Sequence, residues 1–436
     1  MLRGITILIL IVLFGCSEEK IVPQKEVKID FVKTVGGSRN EVGSSVVSTQ
    51  DNGYIILGYA DSNDGDLNFK TTTDSDYFVL KYNANDELEW SKVYGGSKDD
   101  RGLQIIQTSD NGFAVFGFSE SDDNDVTVNN GNSDFWITKL NTSGNIVWEK
   151  SFGFSGRDNG SSLIATSDNG FLLVGELDIT ASGGMGRSSS NNNRHAGGDY
   201  WAIKLNSSGD KEWSNFYGGN FTETPQDVVQ TTDGFIITGF SDSIDVDISN
   251  NKGTYDFWVV KIDNQGKLIW EKSFGGTQID ESYGIEKTND GNFVIVGSTR
   301  SSDTDVSSNS GGGELWLIKI SSEGKLIWEK TFGGASFDVG RAIHKTNNGD
   351  LLIGGSSRST NDGFSNNGEN DAWVFKISSE GNLIWQKFIG GSKLDFLYDI
   401  TELQDESIVA VGESTSNDLD IPENKGFSDL LIIKIK

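Results

Sequence analysis

Five pairs of aspartates, each pair separated by a single residue, are the side chains in this sequence whose type and spacing best suit chemistry. They are Asp64 and Asp66, Asp123 and Asp125, Asp245 and Asp247, Asp303 and Asp305, and Asp418 and Asp420. Calcium takes about six to eight oxygen ligands, so clustered carboxylates beside loop carbonyls would suit it. The spacing does not match a complete EF-hand loop. We interpret these pairs as candidate calcium ligands, with stabilisation of loop turns by Asp, Ser and Asn side chains as the alternative.

A second candidate is a basic loop in an otherwise acidic chain. Residues 178–198 are rich in Ser, Asn and Gly and carry Arg187, Arg194 and His195. Long loops on a rigid scaffold are where function is often placed. The three residues are therefore candidate partner-binding residues for an anionic or polar ligand. A tolerated insertion without function is the alternative.

The remaining composition argues against most common enzyme chemistry. The sequence has one cysteine and two histidines, too few for an internal disulfide and a poor basis for a zinc site or a Ser-His-Asp relay. The second histidine, His344, lies in a strand-like run and is expected to be a strand residue. Lys and Arg total 36 against 64 Asp and Glu, a net charge of −28 that would repel a nucleic acid. We predict no catalytic residues and no cofactor apart from the calcium considered above.

The elements that position these residues follow from an internal repeat. A block of Asp, aromatic, Trp, two residues and Lys recurs with a step of about 58 residues, followed by a Trp-x-Lys run and a Gly-Gly pair. The Asp-to-Lys segments begin at Asp76, Asp134, Asp199, Asp256, Glu314, Asp371 and Asp429. The step that contains residues 178–198 is the longest, at 65 residues. There are thus seven repeats, and the third carries the insertion.

Each repeat contains four strand-like runs bounded by turn residues. In the fourth repeat, Asp233-Gly234 separates the first two runs, and Gly266 lies in the turn between the last two. Four-stranded units repeated around an axis predict an all-β, seven-bladed β-propeller. The sequence ends after the third run of the seventh repeat, and residues 30–35 match a fourth run. We therefore predict that an N-terminal strand completes the last blade and closes the ring, which removes its exposed edges.

Three sets of residues recur in every blade or nearly every blade, which predicts structural rather than functional roles. The eleven tryptophans occupy the third and fourth runs, where packing between blades is expected. An acidic residue lies four positions after each Gly-Gly pair: Glu41, Asp100, Asp158, Glu223, Asp280, Asp338 and Asp395. The third runs carry Lys81, Lys139, Lys204, Lys261, Lys319, Lys376 and Lys434. For both charged sets we expect a repeated contact, either a salt bridge or a turn cap.

The N-terminus predicts an address and an anchor. Residues 5–14 form an apolar run that is too short for a permanent membrane span, as expected of a signal peptide. Leu13-Phe14-Gly15-Cys16 resembles the bacterial lipobox, so Cys16 is the predicted lipid attachment site. The acidic Ser17-Glu18-Glu19 resembles the export tag of Bacteroidota surface lipoproteins. We predict a signal peptide over 1–15, a lipidated cysteine and polar tether over 16–28, and the propeller over 29–436.

The repeat itself resembles a known family. The anchors Ser-Phe-Gly-Gly-x-x-x-Asp, Thr-x-Asp-Gly-x-Phe-x-x-x-Gly and Asp-x-Trp-x-x-Lys are similar to the bacterial SBBP-type β-propeller repeat and cover residues 29–436. This resemblance implies a propeller that is often secreted or at the cell surface, and it implies no reaction. The Trp-bearing fourth run is also similar to the PQQ-type propellers, which have eight blades rather than seven.

These observations lead to one functional hypothesis and two alternatives. The leading hypothesis is a non-catalytic, lipid-anchored module of the outer membrane, at the cell surface, that binds or scaffolds a protein or glycan. Its only membrane contact would be the lipid. One alternative is a carbohydrate-active hydrolase or lyase that uses loop carboxylates, because the geometry of two carboxylates cannot be read from a sequence. The other is a scaffold for outer-membrane assembly with a constitutive membrane-protein partner.

Overall fold

The computed structural model describes residues 27–179, 197–360, 363 and 366–436, and within them the protein is almost entirely strand. A single 3-10 turn covers Gly65–Leu67. In chain order the strands are β1 (Ile29–Val35), β2 (Glu41–Ser48), β3 (Tyr54–Ala60), β4 (Asp76–Tyr82), β5 (Leu88–Tyr94), β6 (Asp100–Gln107), β7 (Phe113–Ser119), β8 (Asp134–Leu140), β9 (Ile146–Phe152), β10 (Asp158–Ala165), β11 (Phe171–Asp178), β12 (Gly198–Leu205), β13 (Lys211–Tyr217), β14 (Glu223–Gln230), β15 (Gly234–Ser241), β16 (Asp256–Asp263), β17 (Leu268–Phe274), β18 (Asp280–Lys287), β19 (Phe293–Thr299), β20 (Glu314–Ile320), β21 (Leu326–Phe332), β22 (Asp338–Lys345), β23 (Leu351–Ser357), β24 (Asp371–Ile377), β25 (Leu383–Ile389), β26 (Asp395–Glu402), β27 (Ile408–Ser414) and β28 (Asp429–Ile435).

These strands form seven antiparallel sheets of four strands, the blades of a propeller. Blades 1 to 6 each contain four consecutive strands, from β2–β5 to β22–β25. The first strand of every blade lies beside the first strand of the next, and β26 lies beside β2, so the seven first strands surround the axis. The predicted all-β, seven-bladed fold is therefore confirmed.

The seventh blade joins the two ends of the described chain. Its strand order is β1-β28-β27-β26, with Val32 opposite Ile433 in the β1–β28 ladder. Just beyond this ladder, Lys28 and Lys436 exchange two backbone hydrogen bonds of 2.9 and 2.8 Å. The N-terminal strand thus completes the last blade, as the sequence predicts.

The two faces of the ring are built differently, and they are named here for their loops. The connector face carries the Gly-Gly connectors between blades and the loops between second and third strands. The turn face carries the short turns between first and second strands and between third and fourth strands. First strands run from the connector face to the turn face, because the connectors precede them.

A β-bulge recurs at the same place in every first strand. The register between first and second strands shifts once in each blade, between Gly43 and Ser45 in blade 1 and at the matching residues of the other six. A bulge leaves one extra residue outside the regular ladder and redirects its side chain. The residues in this position are Ser44, Leu103, Ser161, Gln226, Tyr283, Arg341 and Tyr398, and all seven line the central channel.

The hydrophobic core lies between neighbouring blades. The third strands are buried along most or all of their length, because each is covered on both faces by adjacent blades. Aromatic rings connect the blades: Tyr77 of blade 1 lies 4.7 Å from Trp136 of blade 2, and Tyr200 of blade 3 lies 4.6 Å from Trp258 of blade 4, centroid to centroid. The expected framework role of the third-strand tryptophans is confirmed by these contacts.

The fourth-strand tryptophans make a second contact between blades. Five of the six pack on the glycine of the turn between third and fourth strands in the following blade, and the exception is Trp385, which precedes the blade closed by β1. A Cβ added at Gly266, for example, would lie 2.7 Å from Cζ3 of Trp213. Gly266 also has φ of 77°, in the left-handed region that glycine adopts without steric cost. Both requirements select glycine at this turn.

In the part of the chain that the structure describes, no helix is long and apolar enough to cross a membrane.

We predict that Gly266→Ala destabilises the ring more than the same change at an equally left-handed but unpacked turn. Gly291 is the matched control, because its φ is 80° and an added Cβ would meet nothing within 4 Å. Gly291→Ala should cost about 1 kcal/mol of unfolding free energy. Gly266→Ala should cost about 2–4 kcal/mol, because the tryptophan must also move. Urea unfolding of both variants measures this, and equal losses would contradict the proposed packing role.

Candidate functional site

In five of the seven connectors between blades, four consecutive backbone N–H groups are capped by side chains. In blade 5 the N–H groups of residues 275–278 donate to carboxylate or hydroxyl oxygens of the same blade. In order, the acceptors are Asp305 at 3.2 Å, Asp280 at 2.7 Å, Asp303 at 2.9 Å and Ser301 at 3.0 Å. Buried N–H groups without acceptors would cost free energy, so these side chains replace the partners that a turn lacks.

This arrangement places the five Asp-x-Asp pairs. The first aspartate of each pair accepts from the N–H that follows the Gly-Gly pair, and the second accepts from the N–H of the first glycine, at distances between 2.8 and 3.4 Å. These bonds stabilise the turns, which is the alternative to calcium binding that the sequence predicts. No group of three or more His, Cys, Asp or Glu among the described residues is arranged to hold a metal ion. Calcium binding at the pairs stays a prediction.

The residue between the two aspartates is left-handed in all five pairs. These residues are Gly65, Asn124, Val246, Thr304 and Leu419, with φ between 55° and 60°. Val246 and Thr304 are β-branched, for which this conformation is strained. The bend directs both carboxylates of a pair at one connector, so the hydrogen bonds just described maintain the strained backbone.

The repeated acids and lysines lie at opposite faces and do not pair with each other. Each acid caps the second N–H of its connector, from Glu41 at 2.8 Å to Asp395 at 2.7 Å. The lysines lie toward the turn face, where each forms an ion pair with an aspartate of a turn, for example Lys261 with Asp233 at 2.9 Å. The expectation of a repeated structural contact is thus confirmed for both sets, as a turn cap for the acids and as a salt bridge for the lysines.

Beneath each connector two carboxyl groups face each other across the first glycine. In blade 5, a Cβ added at Gly275 would lie 2.6 Å from both Oδ1 of Asp256 and Oδ2 of Asp280. Burial, and then the charge of Asp280, raises the pKa of Asp256 to about 7, against the bonds it receives from Lys252. In blade 4, burial raises the pKa of Glu223 to about 7. One proton can therefore be held in such a pair near neutral pH.

The central channel is a cavity with a volume of about 780 Å³. This is within the range of small-molecule sites, roughly 300–1,000 Å³. Its wall is formed by the first strands, and the bulge residues contribute Ser, Leu, Ser, Gln, Tyr, Arg and Tyr in blade order. The channel therefore differs in chemistry from blade to blade, unlike the connectors.

Blades 5, 6 and 7 place an arginine between two tyrosines in this channel. The guanidinium carbon of Arg341 lies 4.5 Å from the ring centroid of Tyr283 and 5.7 Å from that of Tyr398. The tyrosine hydroxyls donate to Glu281 at 2.8 Å and to Glu413 at 2.6 Å, which fixes both rings. Burial raises the pKa of both tyrosines, so they remain neutral. We call Tyr283, Arg341 and Tyr398 the channel triad.

The channel triad replaces hydrogen bonds that connect the other first strands. Asp399 accepts from the N–H of Val46 at 2.8 Å, and Asp227 accepts from Ile285 at 2.9 Å and from the hydroxyl of Ser162 at 2.9 Å. Burial raises the pKa of both aspartates to about 6. Gly284 and Ala342 occupy the matching positions in blades 5 and 6 and have no polar side chain. Arginine–tyrosine stacking connects the blades at that point.

His344 lies deeper in the same channel. Burial lowers its pKa to about 4, so the imidazole is neutral at physiological pH. It belongs to β22, and its expected placement as a strand residue is confirmed.

Four residues predicted as sites from the sequence lie outside the described residues: Cys16, Arg187, Arg194 and His195. The segment with the last three leaves β11 and enters β12 at the connector face, where Ile179 donates to Gly197 at 3.1 Å. The channel triad was not predicted from the sequence. The sequence does contain a signal for it, because the residue three positions after each repeated acid changes in nearly every blade.

Comparisons with known proteins give no family for this chain. No protein-family model matches the sequence. Regulatory protein FlaEY of Caulobacter vibrioides is 25% identical over 225 residues, which cover 45% of this chain and 24% of that protein. The matched region is thus about a quarter of that relative's length.

Solved propeller structures are similar over most of this chain at low identity. Sqt1 from Chaetomium thermophilum has a TM-score of 0.45 and 11% identity, covering 88% of this chain and 82% of that one. The Neurospora crassa Pan2 WD40 domain has a TM-score of 0.46 and 9% identity, covering 92% and 97%. A puromycin hydrolase has a TM-score of 0.47 and 8% identity, covering 86% and 50%.

We predict that the protein becomes more stable on acidification from pH 8 to pH 5. Carboxyl groups whose folded-state pKa is raised to about 6 or 7 contribute stability that is fully present below the unfolded pKa, near 4, and is lost as pH rises through the folded value. Asp256→Asn replaces one of these carboxyl groups by an amide that does not ionise. It should therefore raise the free energy of unfolding at pH 8 by roughly 1–3 kcal/mol, with little effect at pH 5. Thermal unfolding between pH 5 and pH 8 measures both effects.

Asp290→Asn is the matched control on the turn face. Hydrogen bonds from Lys319 and Thr288 hold the pKa of Asp290 below its ordinary value despite the opposing effect of its partial burial. Its stabilising contribution is present above the unfolded pKa, so the variant should be destabilised equally at pH 5 and pH 8. An Asp256→Asn variant with an unchanged pH profile would contradict the protonated carboxyl pair.

Proposed function

We propose that the protein is a non-catalytic binding module, anchored by lipid at the bacterial cell surface, that holds a protein or glycan partner on its connector face. This proposal is supported by one observation: the blades differ from one another at the residues that line the central channel. Repeated acids, lysines and third-strand tryptophans make contacts within and between blades. The channel triad breaks the repeat and lines an open cavity of small-molecule size. Binding sites on closed repeat folds need such asymmetry to select one ligand orientation.

The anchor part of the proposal depends on the N-terminal sequence. Cys16 is the sole cysteine and follows Leu13-Phe14-Gly15, a resemblance to the lipobox. Its two or three acyl chains would bind a membrane essentially permanently, since each buried CH₂ contributes about 0.8 kcal/mol. The resemblance of the repeat to the SBBP type and of Ser17-Glu18-Glu19 to an export tag supports the outer membrane and its outer surface.

A binding role is favoured over hydrolysis by the bonding of the channel carboxylates. A glycoside hydrolase presents two carboxyl groups to the bond that it cleaves. The two most buried channel acids, Asp227 and Asp399, instead accept backbone N–H groups of neighbouring first strands. The hydrolase alternative predicts turnover of a glycan. The alternative of an outer-membrane assembly scaffold predicts one constitutive membrane-protein partner.

The partner would contact one continuous face. The bulge residues lie in the half of each first strand nearest the connector face. The segment with Arg187, Arg194 and His195 leaves and re-enters the ring on that face. We infer that Arg187, Arg194 and His195 supply basic contacts to an anionic or polar partner.

We predict that a block in the channel abolishes partner capture while the same change on the turn face does not. Gln226→Arg would fill the channel with a long side chain at a bulge position, and Gln265→Arg is the matched control in a turn of the same blade. Full-length chains are purified from native outer membranes, and their bound proteins and glycans are measured by mass spectrometry. Capture should fall at least about 10-fold for Gln226→Arg and stay unchanged for Gln265→Arg.

Deletion of residues 183–197 is a second arm and should also reduce capture without changing thermal stability. Equal capture by all variants would contradict binding on the connector face. Catalytic turnover of a captured glycan by the wild-type chain would contradict the non-catalytic role. In the same experiment, Cys16→Ala should move the protein from the membrane to the soluble fraction, and persistence in the membrane would contradict the anchor.

A further inference from the structure

Arg341 lines the channel and has no anionic partner among the described residues, unlike the repeated lysines of the third strands. The seven third-strand lysines each form an ion pair with an aspartate. The side chain of Arg341 makes no ion pair or hydrogen bond to any described residue, although the chain carries 64 acidic residues. A half-buried guanidinium without hydrogen-bond acceptors has N–H donors available to a ligand.

The two tyrosines hold the guanidinium without using its donors. Its carbon lies over the rings of Tyr283 and Tyr398, and both tyrosine hydroxyls bond to glutamates instead, so the guanidinium N–H groups are left for a ligand. The planar fork of arginine matches the two oxygens of a carboxylate. Glu281 and Glu413, which hold the tyrosine hydroxyls, make this part of the channel unfavourable for a doubly charged phosphate group. A singly charged carboxylate is the anion that fits best.

The rest of the channel wall indicates what the carboxylate belongs to. Gln226 lines the channel at a bulge position, and its amide makes no hydrogen bond to any described residue. Ser161, at the matching position of blade 3, donates to the carbonyl of Val174 and can still accept a hydrogen bond. Hydroxyl and amide groups can exchange hydrogen bonds with sugar hydroxyls.

An extended peptide is a poorer fit for the same wall. A peptide strand binds by adding to a free sheet edge. Each inner strand is the edge strand of its blade, but side chains of a neighbouring first strand already accept backbone N–H groups along this edge, as Asp399 does for Val46 and Asp227 for Ile285. A ligand in this channel must therefore be recognised through hydroxyl, amide and guanidinium groups.

We propose that the channel mouth binds a uronic acid residue of an acidic glycan, with the sugar carboxylate on the guanidinium of Arg341 and sugar hydroxyls on Gln226 and Ser161. This inference rests on the proposed binding function and names the ligand class of that site. Arg341 would select acidic over neutral sugars, since a neutral sugar would leave its donors unpaired.

Calorimetric titration of the full-length chain in detergent tests this assignment. The probes are trigalacturonate, its methyl ester and trialanine, which carries a C-terminal carboxylate without a sugar. Trigalacturonate should bind saturably, and both other probes should bind at least about 10-fold more weakly. The comparison of the acid with its ester needs no variant and so does not depend on folding of a mutant.

Two variants locate the carboxylate. Arg341→Gln should weaken trigalacturonate binding at least about 10-fold. Arg300→Gln should leave it unchanged, because Arg300 makes a similar contact with an aromatic ring, 5.8 Å from the centroid of Phe337, but outside the channel lining.

Several results would overturn the assignment. These are absence of trigalacturonate binding, equal binding of the methyl ester, equal binding of trialanine, or equal affinity of wild type and Arg341→Gln. If one of them occurs while Gln226→Arg still abolishes partner capture, the uronic acid is wrong and the proposed binding module stands. If capture also fails to depend on the channel, both proposals are wrong.

Discussion

The ring depends on the capping of backbone N–H groups at the connectors between blades. Each connector turns sharply out of one sheet and into the next, which leaves consecutive N–H groups without sheet partners. Carboxylates and hydroxyls of the blade that follows accept them, as Asp305, Asp280, Asp303 and Ser301 do for residues 275–278. Two carboxyl groups lie against the first glycine of the connector. A Cβ at that position would clash with both of them. Without these caps, the connectors would have buried donors unpaired at seven places, and the blades would lose their relative positions.

The need to cap these N–H groups explains many of the acidic residues. It also separates the residues that maintain the ring from those that line the channel and can bind a ligand. The acids of the connectors, the lysine–aspartate pairs of the turns and the tryptophans packed on turn glycines recur around the ring because each blade needs them. The first strands are freer, because one side of each faces the channel rather than another sheet. Their recurring bulge directs one side chain per blade into that space. Variation at this position changes the channel without disturbing the connectors, which is how one framework could carry different ligands.

The sequence predicted the fold well because its signals are local and repeated. The Gly-Gly pairs, the Asp-x-Trp segments and the unmatched run at residues 30–35 were enough for seven blades and for closure by β1. The site was not predicted, since Tyr283, Arg341 and Tyr398 are 57 or more residues apart and meet only when three blades are in place. The Asp-x-Asp pairs suggested calcium because spacing alone does not reveal that both carboxylates accept N–H groups of a connector some 26 residues earlier.

We infer that side-chain hydrogen bonds are sufficient to hold the connectors. Amide hydrogen exchange at residues 275–278, measured by mass spectrometry with and without a calcium chelator, tests this inference. The capped N–H groups should exchange far more slowly than the N–H of Asn264 in an exposed turn, because that N–H makes no hydrogen bond to a described residue, and the chelator should leave both rates unchanged. Connector exchange as fast as that of the turn would contradict the inference, and so would slow exchange that the chelator accelerates.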